Sequence, residues 1–181
     1  MLPANAYMSL FPAVFMIHEL EELIMLKPWL VSNKTMLEQR LMKRRLYKVI
    51  QLHTKISESA RALIIAEEFL MVSTITLLSI NTRSYNLWLG LVLAFQIHLF
   101  IHILQFIILR VYIPALITSL LCSIYTFIIL SDCRDCFQFE TVAVYTFLFL
   151  CALVINLAGC FKMAIAFDHW LIKYSSDNDG K

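Results

Sequence analysis

Glycine and proline are scarce in this chain, three and four in 181 residues. That scarcity leaves no Gly-rich loop to cradle a nucleotide phosphate, and few of the helix breaks from which membrane carriers build their binding sites. The first basic residue is Lys27, so the positive n-region of a secretory signal is missing and the first apolar segment is expected to stay in the mature protein. No Gly-x-Ser-x-Gly elbow occurs, and no further His box follows His102, which sets aside serine hydrolases and His-rich membrane desaturases. What is abundant is hydrocarbon. Apolar residues make up 60% of the sequence, against roughly 45–50% in soluble domains, and the surplus has to face lipid. Because the apolar runs are about 20 residues long and do not alternate, they read as spanning helices and not as barrel strands.

The fold expected is an all-α integral membrane protein. It forms a bundle of five transmembrane helices, about 4–26, 62–80, 87–109, 113–130 and 141–161, plus a basic amphipathic interfacial helix at about 34–61. That interfacial segment holds eight of the fifteen Lys and Arg, with Leu37, Leu41, Leu46, Val49, Ile50 and Leu52 at helix-like spacing, a pattern suited to anionic lipid head groups. Aromatic stacking residues are nearly absent from it, so nucleic acid is not the expected partner. With this segment on the cytoplasmic side, alternation places Arg83 and Arg134 outside and the remaining Lys and Arg inside. The N-terminus is then extracytoplasmic, the C-terminus is cytoplasmic, and the polar tail from Tyr174 to Lys181 is expected to be disordered.

Against this background the intramembrane polar residues stand out. The first span carries His18, Glu21 and Glu22, the second Glu67 and Glu68, and the third His98 and His102, four apart on one face. Counted from the cytoplasmic ends at about 1.5 Å per residue, all lie in the inner leaflet at roughly 8–17 Å depth. Each ionisable group costs about 2.5–3.5 kcal/mol at mid-bilayer, and convergence on one site removes most of that cost. Imidazoles and carboxylates together are the ligand set of zinc, iron or manganese, so His18, Glu21, Glu22, Glu68, His98 and His102 are candidate ligands of a divalent metal, with Glu21, Glu22 and Glu68 as candidate catalytic carboxylates. A proton-sharing polar cluster, or hydrogen-bonded glue between helices, is the alternative from the same residues. Glu19 projects away from the His18 face and reads as a bystander. Gln96 and Gln105 read as interhelical bonds, His53 as a solvated residue of the basic helix, and Asp168 with His169 as an interfacial cap. Asn156 has the depth to join the cluster.

The zinc-protease helix His-Glu-x-x-His fails because Glu22 stands where its second His is needed. Cys133-Arg-Asp-Cys136 falls in an outside loop, where a disulfide staple is expected over a reactive dithiol, and Cys122, Cys151 and Cys160 read as packing residues.

His18-Glu-Leu-Glu-Glu22, with Glu68-Phe69, His102 and Gln105, and Arg110-Val-Tyr-Ile-Pro114, resembles the HXXEE family of small bacterial multi-pass membrane proteins, over roughly residues 10–120. Two departures are Ala115, where a Gly is expected after the Pro, and His98, where the family tends to have Asn. The resemblance implies a shared site at His18, Glu21, Glu22, Glu68 and His102 and brings no established activity with it. Three functions remain open on the sequence. One is a membrane-embedded metal-dependent hydrolase or oxidoreductase acting on a lipid-like or other small apolar substrate. The others are a proton or metal-ion carrier, for which dimerisation would supply the missing symmetry, and a non-catalytic accessory subunit.

Overall fold

The computed structural model describes residues 4–41 and 56–179. Its elements are α1 (Ala4–Ser32), α2 (Lys34–Leu41), α3 (Glu58–Thr82), α4 (Tyr85–Leu109), α5 (Leu116–Asp132) and α6 (Phe139–Asp179), with a 3-10 turn at Arg134–Cys136. Among the described residues there is no strand. Most of the expected interfacial helix and His53 lie outside the described residues, as does the Cys136 side chain and with it the expected Cys133–Cys136 staple.

Short connections fix the neighbours. Arg83 closes α3 in the left-handed conformation (φ 54°), its N–H bonding back to Ile80 and Ser79, so α4 begins two residues later and returns alongside α3. Arg110 closes α4 in the same way (φ 53°). Ala115 then opens α5 at φ 64° and ψ 8°, a backbone that glycine adopts without the roughly 1–2 kcal/mol steric cost of a Cβ. The sequence expectation of glycine after Pro114 thus has its physical basis here, and in this chain an alanine takes the strain.

The helix α4 is the hub, packed on α3, α5 and α6, while α1 packs between α3 and α5. Rings join α1 to α4: Phe11 meets Trp88 and Phe95 edge-on at 5.9 and 5.6 Å, and Phe15 meets Phe95 at 5.7 Å. Large aromatics on that side are balanced by a small residue on the other. At Gly90 the chain of α6 passes so close that a Cβ would stand 2.5 Å from the Tyr145 Cβ and 3.2 Å from the Thr146 nitrogen.

The bundle has polar groups inside and hydrocarbon outside. His18, Glu19, Glu68, Gln96 and His102 are buried, whereas Ile17, Ile24, Leu70, Ile107, Leu121 and Ile155 are exposed. Three helices, α3, α4 and α6 up to Ser175, are long and apolar enough to cross a membrane, which fits a membrane protein. The fifth helix is apolar but only 17 residues long, and α1 carries Glu19, Glu21, Glu22 and Lys27.

Two expectations change at the end of the last helix. The last helix does not stop near residue 161 but runs on to Asp179, so the backbone of residues 174–179 is helical where a disordered tail is expected. Extending a formed helix adds one hydrogen bond for each residue fixed, and Phe167, Trp170 and Tyr174 stack along it at 5.7 and 5.6 Å. Asp168 takes the capping part assigned to it. It accepts from the Ser57 N–H at 2.8 Å and from the Ser57 hydroxyl, while Ser57 Oγ accepts from Ala60 N, tying α6 to the start of α3.

Gly90→Ala is expected to destabilise the bundle by about 1–3 kcal/mol through overpacking against α6, seen as a lower Tm in detergent. Gly159→Ala, where a Cβ meets nothing within 4 Å, is the matched control and is expected to leave Tm unchanged or raise it slightly.

Candidate metal centre

Helical spacing sets the site. His18 and Glu22 are one turn apart on α1, His98 and His102 one turn apart on α4, and the two helix faces meet. The three imidazole rings form a triangle, with centroids 5.2 Å apart for His18–His98, 5.1 Å for His18–His102 and 4.7 Å for His98–His102. His102 Nε2 is 3.2 Å from His98 Nε2 and 3.6 Å from Glu22 Oε2. One ligand atom from each of His18, Glu22, His98 and His102 lies within 4.8 Å of all the others. Two nitrogens held at about 2.0–2.1 Å from one metal at a tetrahedral angle stand about 3.4 Å apart, close to the His98–His102 spacing.

His18 is prepared for this role by its second nitrogen. The ring has no exposed surface, and Nδ1 lies 3.1 Å from Thr118 Oγ1. That hydroxyl donates to the Ala115 carbonyl oxygen at 3.3 Å, which leaves it as an acceptor for Nδ1–H. The Nε2 atom is then the lone-pair nitrogen, and it is buried with no hydrogen-bond partner in the described structure. A buried nitrogen in that condition is the chemistry of a metal ligand oriented by an outer hydrogen bond.

Glu21 does not join the four donors. It turns to the start of α5, accepting from Thr118 N at 2.8 Å through Oε2 and from the Tyr112 hydroxyl at 2.6 Å through Oε1. Ala115 makes no side-chain cap there, so a carboxylate from α1 caps α5 in its place. The same loop is held from its other side. Trp29 Nε1 donates to the Tyr112 carbonyl oxygen, and Arg40 Nη1 donates to the Leu109 carbonyl oxygen at 2.6 Å. Burial, followed by the hydrogen bond to Glu21, pushes the Tyr112 hydroxyl up to about 12.

Glu68 also stands apart from the ligand group. It lines a cleft together with Glu19, Glu22 and Arg61, walled by Ile56, Ile64, Ile65, Leu157 and Phe161. Glu22 belongs to both the cleft and the donor group. Glu19 is therefore no bystander: it is 7% exposed and faces the cleft. The reading from one helix face fails because α1 is covered by α3 as well as α5, so its buried arc is wide enough to take residues 18, 19 and 22. Arg61, counted with the basic surface segment, is buried on α3 two turns before Glu68. The signal for it was its i, i+7 spacing to Glu68. Thr118 gave no signal in the sequence.

The other intramembrane polar residues find separate partners. Asn156 donates to Glu67 Oε2 at 2.8 Å, away from the four donors. Gln96 bonds Ser123 at 3.2 Å and Thr126, as interhelical glue, and Gln105 is exposed. Cys122 is buried in the apolar core, whereas Cys160, expected only to pack, is buried with its thiol donating to Glu67 Oε2 at 3.5 Å and to Asn156 Oδ1 at 3.7 Å.

Residues 9–130, more than half of the chain, match the family described as "Protein of unknown function with HXXEE motif", and the chain belongs to that family. The matched segment contains all four converging donors and Glu21. No curated protein and no solved structure matches the chain.

Glu21→Ala is expected to lower stability by about 1–2 kcal/mol by uncapping α5, read as a fall in Tm. Because Tyr112 holds its proton more tightly when folded, its contribution is complete below pH ~10 and is lost as pH rises toward about 12. Tyr112→Phe is expected to flatten that part of the stability profile and to remove one high-pH step from the ultraviolet phenolate titration.

Proposed function

We propose that this protein is a membrane-embedded, metal-dependent enzyme in which His18, Glu22, His98 and His102 hold one divalent ion and a lipid-like or other small apolar substrate reaches it within the bilayer. The observation that carries this reading is the buried, unpartnered His18 Nε2 aimed into three other donors that lie within 4.8 Å of one another. Zinc, iron or manganese fits a set of three imidazoles and one carboxylate, and such an ion supplies Lewis acidity, or electron transfer if it is redox-active. Glu68, set back in the cleft and outside the ligand group, is the carboxylate placed to exchange a proton with a bound substrate.

Five spans are part of the same proposal. The helix α1 carries its charges toward α3, α4 and α5 and exposes Leu10, Ile17, Leu20 and Ile24, so it can cross lipid although its composition alone argues against it. The charge distribution supports an extracytoplasmic N-terminus with the metal centre in the inner leaflet. An enzyme is favoured over a carrier because Phe11, Phe15, Phe95 and Trp88 fill the bundle on the extracytoplasmic side of the histidines, where a transport path would have to run.

Metal analysis of the protein purified in detergent without chelator is expected to give one ion per chain. His18→Ala and His102→Ala are expected to abolish it, and Glu68→Gln to keep it. Near-zero metal in the wild-type protein after reconstitution with zinc, iron and manganese would overturn the reading. Thr118→Val, which removes the acceptor for His18 Nδ1–H, is expected to weaken metal affinity by about 10–100-fold, with Thr118→Ser restoring it.

A further inference from the structure

Two buried carboxyl groups lie next to the metal centre without belonging to it. Glu19 and Glu68 are 7% and 9% exposed, and among the described residues neither makes a hydrogen bond or an ion pair. A carboxyl group offers lone pairs when ionised and a donor as well when neutral, so in either state it calls for hydrogen-bond partners once buried. Both groups line the cleft between α1, α3 and α6, together with Glu22 and Arg61. Its size decides what those partners can be. The cavity volume is about 60 Å³. At the ~30 Å³ that one water occupies in the liquid, this is room for about two water molecules, far below the roughly 300–1,000 Å³ of sites that take an organic ligand. The body of a lipid-like substrate is excluded, whereas water fits. A buried water needs about two to four polar partners, and three carboxyl groups with one guanidinium supply them. Glu22 belongs to the cleft and to the donor group, with Oε2 3.6 Å from His102 Nε2, so water on the cleft side of Glu22 stands beside the metal centre. The lining reaches along α3 from Glu68 to Ile56, near the helix start where the Lys27–Glu58 pair is exposed, so the cleft lies toward water.

We propose that this cleft is a water site serving the metal centre, with about two water molecules held among Glu19, Glu22 and Glu68, and that the reaction is a hydrolysis. The inference rests on the metal-centre reading and narrows it to one reaction class. In the step, the oxygen of a cleft water forms the new bond to the electrophilic atom of the substrate, and the proton from its broken O–H bond passes to the Glu68 carboxylate. The bond to the leaving group then breaks, with the electron pair going to that group and the proton following from Glu68. No oxidant or reductant enters. Glu19 holds the second water and so positions the first, while the substrate keeps its apolar body in the bilayer and brings only the scissile bond to the centre.

The test uses the full chain in nanodiscs of bacterial polar lipid, with and without added zinc. Hydroxyl radicals made by an X-ray pulse arise from water in place, so side chains against internal water are oxidised, and the sites are mapped by mass spectrometry. Ile64, Ile65 and Phe161, at 7%, 6% and 7% exposure, are expected to be oxidised several-fold more than Leu91 and Phe15, both at 8% and away from the cleft. Glu68→Leu, which fills the cleft with hydrocarbon, is expected to bring them down to the level of those two controls. Glu68→Gln, which keeps the hydrogen-bonding groups, is expected to leave them high. In water enriched in oxygen-18, the zinc-loaded protein is expected to place the label in a product of the surrounding lipid, and Glu68→Gln to slow this by about 10²–10⁴-fold at unchanged zinc content. Oxidation of the three cleft residues no higher than in the controls, or no zinc-dependent product carrying oxygen-18, would overturn the proposal. Zinc content of the same samples separates the two readings. One zinc per chain beside a dry cleft sinks the water site alone, and oxidised cleft residues in a protein that binds no zinc sink the metal centre.

Discussion

A histidine ring with no exposed surface must satisfy two nitrogens inside the protein, and His18 divides them between two neighbours. Nδ1 goes to Thr118 at the start of α5, and Nε2 is left buried and unpartnered in a ring that packs on the histidines of α4. Much else in the bundle serves that division. Thr118 is held by its own N–H on Glu21, Glu21 is held by Tyr112, and Tyr112 is held through its carbonyl by Trp29. The chain of contacts runs from α1 out to the 110–115 loop and back to α1. Moving any member shifts the tautomer and direction of the one ring that closes the donor group.

This arrangement gives the His-x-x-Glu-Glu motif a division of labour. His18 and Glu22 face α4 as donors, while Glu21 neutralises the helix terminus of α5 and registers α1 against it. Glu19, which fills one of the motif's open positions, lies on the α3 side and lines the cleft. Three roles come from five consecutive residues because α1 is surrounded, and each direction around the helix meets a different partner. The two ends of the site are unequal as well. Aromatic rings pack against α1 on one side of His18, and the cleft lined by Glu22 lies beyond it on the other.

Much of the site was legible in the residues. The i, i+4 pairs His18/Glu22 and His98/His102 announced two faces, and the cost of leaving ionisable groups in hydrocarbon meant that those faces had to meet. Depth counting matched α1 to α4 because helical rise is fixed. Depth cannot tell how a helix is turned about its own axis, and the misplacements follow from that. Glu21 and Glu68 have the right depth but turn toward α5 and the cleft, and Asn156 at a suitable depth turns to Glu67. Arg61 was hidden because it was counted with the basic segment that precedes it, whereas its position on α3 is buried.

The sequence by itself determined the helices, their apolar surplus, the membership marked by the His18-to-Glu22 motif and the two pairs of donors. These depend on local spacing and on transfer energies that each residue carries with it. Only the tertiary structure decided which carboxylate completes the donor group, that Thr118 orients His18, that Ala115 takes a strained backbone to start α5, and that a cleft lined by Glu19, Glu22 and Glu68 adjoins the site. Those outcomes depend on helix rotation and on contacts between residues about a hundred positions apart, and no local pattern fixes either.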